Sequence, residues 1–395
     1  MQSPLSSNPR DHAASRQRWD IFCAVVDNFG DIGVCWRLAR QLAAEHGLAV
    51  RLWVDDLARF VQLCPQADPL ADAQTVGGVD VRRWHATFDA GVEPAAVVIE
   101  AFACELPASY LVAMAGRARQ PVWINLEYLS AEAWVEDCHL MASPHPRLPL
   151  VKHFFFPGFT PRTGGLLRER DLFARRDAFL ADRRARDAFW LACGFAPPPP
   201  DAVCVSLFAY RHADVLGLLQ AFTGCGRPVL CAIPDGPLLD EAAGFLGRDT
   251  LRPGEEAMAG NLRVRALPFV AQPDYDALLW SCDINFVRGE DSFVRAQWAA
   301  RPLVWHIYPQ AEDVHLGKLD AFMTRYAEGL DGEAGAAIRR LAHAWNAGDV
   351  LDAPLAGVLV RLPALLAHAS AWAARLAERP DLATRLAEFA RDQLQ

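Results

Sequence analysis

The fold of this chain is decided by VVDNFGDIGVCWRLAR, residues 25–40, which leads from an apolar segment through a glycine turn into an amphipathic segment. The segment before the turn, Trp19–Val26, is short and apolar, which predicts a buried strand. The segment after it, Val34–His46, repeats its leucines on one face, which predicts a helix. A strand, a glycine turn and a helix in this order indicate an α/β domain.

Strand-like and helix-like segments continue to alternate, which predicts parallel sheets covered by helices. The further strands predicted in the first half are Ala49–Val54, Val79–Trp84, Ala96–Glu100 and Pro121–Leu126. Those predicted in the second half are Val203–Leu207, Pro228–Ile233, Arg263–Pro268, Asp283–Val287 and Pro302–His306.

Four consecutive prolines, Pro197–Pro200, form a semi-rigid break between the two series of strands. We therefore expect a disordered segment over residues 1–18, a Rossmann-like domain over 19–196, a linker over 197–201, and a second Rossmann-like domain over 202–395 that ends in helices. Ligands of such domains bind at the carboxyl ends of the strands, here in a cleft between the two domains.

Composition excludes several classes of protein. The chain is 52% hydrophobic and 22% charged, so it can bury a core, and its net charge of -9 is unlike a basic nucleic-acid footprint. The first eighteen residues lack the apolar core of a secretory signal, and no uninterrupted apolar run would span a bilayer. The ten cysteines form no C-x-x-C pair, which indicates buried thiols in a reducing, cytoplasmic location.

The turn after the first strand, DNFGDIG over residues 27–33, holds two carboxylates, Asp27 and Asp31, together with Phe29 and two glycines, Gly30 and Gly33. Glycine permits close approach of a ligand to the backbone, although G-x-x-G is not the dinucleotide fingerprint. Asp and Asn also cap helices and build turns, so a purely local role remains open.

A second motif, RGEDSF over residues 288–293, follows a strand and precedes a helix. Free amides at a helix start favour a phosphate, and Arg288 adds charge-assisted hydrogen bonds. Plain capping by Asp291 or Ser292 is the alternative. Glu290 beside an anion site fits a sugar hydroxyl, a ribose or a cation.

Two further motifs also follow predicted strands. PFVAQPDY, residues 268–275, offers Phe269 and Tyr275 to a nucleobase, with Gln272 as donor and acceptor for a pyrimidine edge, unless the aromatics belong to the core. Alternation places Ser206, Phe208 and Tyr210 on one side of a strand, unless the serine is satisfied within the sheet.

No metal constellation is evident in the sequence. The eleven histidines form no H-x-x-x-H pair, and helix capping explains the single D-x-D match, Asp274-Tyr275-Asp276, at least as well as a metal would. We expect no metal and no cofactor, with the adjacent Glu290 and Asp291 as the other arrangement that could hold Mg²⁺.

Residues 25–40, 268–275 and 288–297 resemble the bacterial elongation factor P arginine rhamnosyltransferases, and the likeness extends over nearly the whole chain after residue 18. The resemblance implies a GT-B fold, dTDP-β-L-rhamnose as donor, inversion at the anomeric carbon, and an arginine of elongation factor P as acceptor. It implies that Asp31 is the general base, that Asp27 supports it, and that Glu290 is essential near the donor.

The same resemblance implies a set of donor-binding residues. Phe269, Gln272 and Tyr275 would form the thymine site. The other donor-site residues that we expect are Phe29, Gly30, Ser206, Phe208, Tyr210, Arg288, Asp291, Ser292 and Tyr308.

Other functions stay open on the residues alone. One is a nucleotide-sugar-dependent transferase or epimerase acting on a small molecule or lipid. Another is a non-catalytic nucleotide-binding module that regulates a partner. An NAD-dependent oxidoreductase is disfavoured because the dinucleotide fingerprint is missing.

Overall fold

A computed structural model describes residues 17–26, 29–211, 213–310, 312 and 314–395, with the side chain of Pro273 also outside it. The chain divides into two compact units. Unit 1 comprises the described residues up to Leu129 together with Glu136–Leu167 and Pro380–Gln395. Unit 2 comprises Ser130–Val135 and Arg168–Arg379.

Unit 1 is built on an eight-stranded sheet in the order β3-β4-β2-β1-β5-β6-β8-β7. Its strands are β1 Arg18–Cys23, β2 Ala49–Val54, β3 Ala73–Val76, β4 Val79–Arg83, β5 Val97–Ala101, β6 Val122–Leu126, β7 Ala142–Pro144 and β8 Val151–Phe155. The six inner strands are parallel, and only the edge strands β3 and β7 pair antiparallel with their neighbours. The first four helices are α1 Gly30–His46, α2 Leu57–Leu63, α3 Ala108–Ala115 and α4 Val135–Cys138.

Unit 2 is built on a six-stranded sheet in the order β11-β12-β10-β9-β13-β14. Its strands are β9 Val203–Leu207, β10 Val229–Pro234, β11 Glu256–Ala259, β12 Leu262–Leu267, β13 Ile284–Arg288 and β14 Leu303–His306. Its helices are α5 Leu172–Ala181, α6 Arg183–Ala192, α7 Val215–Gly224, α8 Pro237–Phe245, α9 Gln272–Ser281, α10 Asp291–Trp298, α11 Val314–Tyr326, α12 Gly332–Ala347, α13 Asp352–Val360 and α14 Leu362–Ala377. Every pair except β11 with β12 is parallel.

Each sheet has one point where the strand order reverses: between β1 and β5 in unit 1, and between β9 and β13 in unit 2. Helices leave such a point towards opposite faces, so the strand ends there are open to a ligand. The motifs containing Asp31 and Arg288 each follow a strand at one of these two points. Both motifs therefore lie at strand ends of the kind where α/β sheets bind ligands.

The units divide the chain differently from the predicted domains at residues 19–196 and 202–395. Residues 168–196 belong to unit 2 because α6 contributes Trp190 to a core that includes Leu230 and Leu278. The proline run therefore lies inside unit 2, between α6 and β9, and does not separate the units.

The last helix, α15 Leu382–Leu394, returns to unit 1. The backbone N–H of Leu382 donates to the carbonyl of Leu166, and Gln41 of α1 donates to Asp381 at 3.0 Å. Gly165 has φ +76, and a Cβ there would lie 2.8 Å from the carbonyl oxygen of Pro380, so this crossing requires glycine. The predicted second domain extended to residue 395, whereas in the structure the last helix belongs to unit 1.

The described residues contain no single helix that is long and apolar enough to cross a membrane; α13 with the segment Leu362–Leu394, bent by 74°, passes only as a pair and only by length and composition. The ten cysteines are all free thiols, as predicted, and seven of them are buried.

Candidate active site

The site in unit 2 centres on Arg288, the last residue of β13. Its guanidinium lies 4.6 Å from the ring centroid of Phe208 and 4.6 Å from that of Tyr210, both of which follow β9. A cation between two aromatic faces is attracted by both ring quadrupoles, which fixes the side chain at the open end of the sheet. The predicted grouping of Phe208, Tyr210 and Arg288 is therefore present.

Tyr210 extends this aromatic group in the direction of β14. Its ring lies 5.2 Å from Tyr308 in an edge-to-face arrangement, and its backbone N–H donates to Nδ1 of His306 at 3.1 Å. Tyr308 is 61% exposed, so its ring remains accessible to a ligand. His306 was not among the predicted site residues. Its position at the end of the predicted strand Pro302–His306 could have indicated that it lies near the site.

Ser206 lies apart from this aromatic group. It is buried in β9, and its hydroxyl donates to Oδ1 of Asn285 in β13 at 2.6 Å. This is the satisfied strand serine that the sequence left open as an alternative. The geometry gives Ser206 a role in joining two strands.

The turn between β13 and α10 presents a helix start of the kind that binds anions. Gly289 adopts φ +59, and its carbonyl accepts a hydrogen bond from Trp305 Nε1 at 3.0 Å. Glu290 occupies the position before α10 without capping it through its side chain. The hydroxyl of Ser292 bonds back to the carbonyl and N–H of Arg288. This geometry differs from plain capping by Ser292, because the serine hydroxyl is engaged by the backbone of Arg288.

A buried ionic network lies behind this turn. The Arg295 guanidinium contacts Asp276 at 2.9 Å through Nη1 and Asp291 at 2.9 Å through Nε. Burial opposes the charged form, but the two carboxylates outweigh it and raise the pKa of Arg295 above its usual value. The contacts engage Asp276 with arginine, so this member of the D-x-D match has a structural partner.

The predicted base-binding residues lie at the start of α9 and beside this network. Gln272 is buried as the first residue of α9 and donates through Nε2 to Asp291 at 2.9 Å. Tyr275, one turn later, packs edge-to-face on Phe208 with centroids 6.1 Å apart. Phe269 is 41% exposed, which agrees with a surface for stacking better than with a core position. Three motifs that are distant in sequence thus meet in unit 2.

In unit 1, α1 begins at Gly30, four residues earlier than predicted, so Asp31 lies in its first turn. Phe29 is the residue before the helix and accepts from the N–H of Gly33. Asp27 and Asn28 lie outside the described residues, so Asp27 stays a sequence prediction. A carboxylate in the first turn is favoured by the helix dipole.

The carboxylate of Asp31 is nearly fully buried, and both of its oxygens accept hydrogen bonds within unit 1. Oδ2 accepts from the N–H of Val26 at 2.9 Å, and Oδ1 accepts from the hydroxyl of Tyr128 at 3.1 Å. The first contact is the turn-stabilising role that the sequence left open. The second brings in Tyr128, which sequence reasoning missed although it follows the predicted strand Pro121–Leu126.

The position of Tyr128 is fixed by a second aromatic ring. Its ring stacks on Phe102 with centroids 4.4 Å apart and 17° between the planes. Phe102 and Ala103 adopt φ of 56° and 54°, and Glu105 adopts 49°, in the left-handed region that side chains rarely occupy. Such strain persists where surrounding contacts impose it, and it clusters at functional sites.

No group of three or more His, Cys, Asp or Glu side chains that could hold a metal ion occurs within the described ranges. The expectation of a metal-free reaction therefore stays a prediction about chemistry.

Known proteins decide the family of this chain. The family model described as Elongation-Factor P (EF-P) rhamnosyltransferase EarP matches residues 19–391. The chain belongs to the EarP family. A relative from Pseudomonas putida, named protein-arginine rhamnosyltransferase, is 52% identical over 376 residues, which are 95% of this chain and 99% of that protein. A relative of the same name from Pseudomonas aeruginosa is 50% identical over the same shares.

A solved structure that describes the basis of EarP-mediated arginine glycosylation of translation elongation factor EF-P is 39% identical to this chain. It matches with a TM-score of 0.68 and covers 95% of this chain and 99% of that one. These matches confirm the predicted family, the GT-B class with two Rossmann-like domains, and glycosyltransferase activity. The roles of individual EarP-family residues rest on the geometry above and stay predictions.

Proposed function

We propose that this chain transfers L-rhamnose from dTDP-β-L-rhamnose to an arginine guanidinium of elongation factor P, with inversion at the anomeric carbon. The observation that carries the proposal is membership of the EarP family over residues 19–391, whose description states EF-P rhamnosyl transfer. Activation of this translation factor would follow from the modification, and we propose a cytoplasmic location because that is where a translation factor meets its modifying enzyme.

Unit 2 is assigned to the donor. The amides at the start of α10 and the Arg288 guanidinium are suited to a diphosphate, because both offer donors and positive charge. Phe269, Gln272 and Tyr275 are assigned to the thymine ring. As the bond from the anomeric carbon to dTDP breaks, its electron pair stays on the diphosphate, and these donors stabilise that charge.

Unit 1 is assigned to the acceptor chemistry through Asp31. A guanidinium is protonated at cellular pH, with a pKa above about 12, and its lone pairs are delocalised. One nitrogen forms the new bond to the anomeric carbon, and Asp31 receives a proton as the bond forms. Hydrogen bonds from Val26 and Tyr128 hold the Asp31 carboxylate in one orientation. Asp27 is assigned a supporting role beside Asp31, and Glu290, in unit 2, is assigned an essential role near the donor.

The direct test is the intact mass of purified elongation factor P after incubation with this chain and dTDP-rhamnose. The expected result is a mass gain of one deoxyhexose, located on arginine by fragmentation, with the α anomer shown by NMR as the mark of inversion from a β donor. Elongation factor P with donor alone is the control. Donor turnover without any change in elongation factor P would mean that water accepts the sugar, and faster turnover on addition of a small-molecule or lipid acceptor would then support that alternative.

The alternative of a non-catalytic nucleotide-binding module disagrees with the glycosyltransferase activity of the family to which the chain belongs.

A further inference from the structure

The side chain of Tyr128 presents an aromatic ring beside the carboxylate that is assigned as the base. Its hydroxyl donates to Oδ1 of Asp31 at 3.1 Å, and both residues belong to unit 1. Asp31 is only 1% exposed, whereas Tyr128 is 45% exposed. Tyr128 therefore extends from the buried carboxylate to the exposed surface.

The ring of Tyr128 is held in one orientation by two contacts. The hydroxyl is bound to Asp31, and one face of the ring stacks on Phe102 with centroids 4.4 Å apart and 17° between the planes. The segment that carries Phe102 follows β5 and has left-handed backbone at Phe102 and Ala103, with φ of 56° and 54°. A ring that is already ordered loses little conformational freedom when a ligand packs on its exposed part, which favours binding.

A guanidinium that gives a proton to Asp31 has to lie close to this ring. A general base lies about 2.6–3.2 Å from the nitrogen that it deprotonates, and the Tyr128 hydroxyl lies at a comparable distance from the same carboxylate. Planar guanidinium groups are attracted to aromatic faces and stack on them. The same chemistry occurs within unit 2, where the Arg288 guanidinium lies 4.6 Å from the ring centroids of Phe208 and Tyr210.

We infer that the Tyr128 ring binds the acceptor arginine, whose guanidinium stacks on the exposed part of the ring while one of its nitrogens faces Asp31. The hydroxyl and the ring then have separate tasks: the hydroxyl orients the base, and the ring contributes affinity for the acceptor. This inference rests on the proposed function, in which Asp31 takes a proton from an arginine of elongation factor P.

The first test is a double-mutant cycle measured by calorimetry without donor. Tyr128→Leu keeps an apolar side chain but has no aromatic face, and the partner is elongation factor P with its acceptor arginine either present or replaced by alanine. We expect Tyr128→Leu to weaken binding of the arginine form by about 2- to 30-fold, the range of a cation–aromatic contact, and to leave binding of the alanine form unchanged. Equal weakening of both forms, or of neither, would overturn the inference.

The second test separates the ring from the hydroxyl. Tyr128→Phe keeps the aromatic face, so affinity and KM for elongation factor P should be retained while kcat falls, because Asp31 loses a hydrogen bond. Pentafluorophenylalanine in place of Tyr128 keeps the shape of the ring but removes the negative charge of its face, so affinity should fall as in Tyr128→Leu. Fluorination without effect on affinity, or a loss in Tyr128→Phe as large as that in Tyr128→Leu, would refute the stacking role.

The control is Met141→Ala, at a residue of unit 1 that is 53% exposed, which should leave affinity for both forms of elongation factor P unaltered. If the unaltered chain transfers no rhamnose to elongation factor P, the proposed function fails and the inference fails with it. If it transfers rhamnose but the cycle shows no coupling between Tyr128 and the acceptor arginine, only the inference fails. The fluorinated ring has nearly the shape of phenylalanine, so it decides the question even if Tyr128→Leu does not fold.

Discussion

Asp31 is assigned two roles, one in stabilising the turn before α1 and one as the general base. Its two carboxylate oxygens accept hydrogen bonds from the N–H of Val26 and the hydroxyl of Tyr128. We expect Asp31→Asn to lower turnover by about 10²-fold or more, the usual contribution of a general base, with donor affinity little changed. Steady-state kinetics with elongation factor P and calorimetry with dTDP measure the two quantities separately.

The control for this change is Asp56→Asn, because Asp56 also accepts a backbone N–H at a helix start in unit 1, from Arg59 at 3.1 Å. It should leave turnover unaltered. Turnover near that of the unaltered chain in Asp31→Asn would end the assignment of the base.

Phe269 is 41% exposed, so the residue contributes little to a core. We expect Phe269→Ala to weaken dTDP binding by about 1–3 kcal/mol through lost stacking. The melting temperature should stay close to that of the unaltered chain. Leu216→Ala, at a residue in unit 2 with 49% exposure, is the control for both measurements. Unchanged dTDP affinity with a lowered melting temperature would place Phe269 in the core instead.

At the scale of elements, most of the parallel strands were predicted from sequence, including the edge strand β14, whereas the parallel strand β8 and three short antiparallel edge strands were missed. Strands β2 and β9 have the predicted bounds. In β9 every residue is buried, as in inner parallel strands covered on both faces, whereas β2 carries the half-buried Arg51 within an otherwise apolar segment. The missed edge strands β3, β7 and β11 have three or four residues each and lack a comparable apolar segment. Helix α1 begins before the predicted Val34 because Gly30 and Asp31 are compatible with a helix start as well as with a loop.

The site divides in the same way. The positions of Asp31, Arg288 and Gln272 could be predicted from the strands that precede them. Residues directly after parallel strands lie at the carboxyl edge of their sheet. The contacts of Tyr128 with Asp31 and of Arg295 with Asp276 join different elements, and no local pattern encodes such pairs.

His139 connects the segment after α4 to the end of β8, where its Nδ1 accepts from the N–H of Phe156 at 3.1 Å. Burial, with a smaller contribution from Arg385, lowers the pKa of His139 from 6.5 to about 4. The unfolded chain therefore binds a proton at a higher pH than the folded chain. The free energy of unfolding should fall as pH drops from about 6.5 towards 4.

His139→Asn tests this pH dependence, since the asparagine oxygen can replace Nδ1 as acceptor without titrating. Urea unfolding at a series of pH values should show a shallower decline for the variant than for the unaltered chain between pH 6.5 and 4. Parallel profiles would contradict the prediction.

At the scale of the molecule, unit 1 is completed by the last residues of the chain. We expect removal of Pro380–Gln395 to destabilise unit 1 by several kcal/mol, because α15 buries Leu382 and Leu386, at about 1.5–3 kcal/mol for each side chain. Hydrogen exchange should rise across the unit 1 sheet and change little in unit 2. Removal of only Asp392–Gln395 is the control, since it leaves these leucines in place.

A point variant covers the case in which the truncated chain cannot be produced. Phe389 packs on His153 and Phe155 of β8, so Phe389→Ala should raise exchange in the same sheet to a smaller degree. Exchange that rises equally in both units would show that they do not unfold separately.

At the scale of the whole enzyme, we expect the rate of rhamnose transfer to be unchanged by a chelator of divalent cations. Arg288 and the amides at the start of α10 supply the charge that a cation would otherwise provide, and Asp276 and Asp291 are both engaged with Arg295. Rhamnosylation is measured with and without EDTA. Complete loss of transfer, restored by Mg²⁺ or Mn²⁺, would make Glu290 with Asp291, or Asp274 with Asp276, metal ligands.

The return of α15 to unit 1 has a consequence for synthesis on the ribosome. The strands of unit 1 are translated first, but the unit is incomplete until its last segment, which begins at Pro380, has been made. Pro380 is translated 213 residues after Leu167. At about 5–20 residues per second, that interval is roughly 10–40 s. During this time α15 is not yet available to pack against α1. Unit 2 is complete at Arg379, so the nascent chain finishes its C-terminal unit before its N-terminal one.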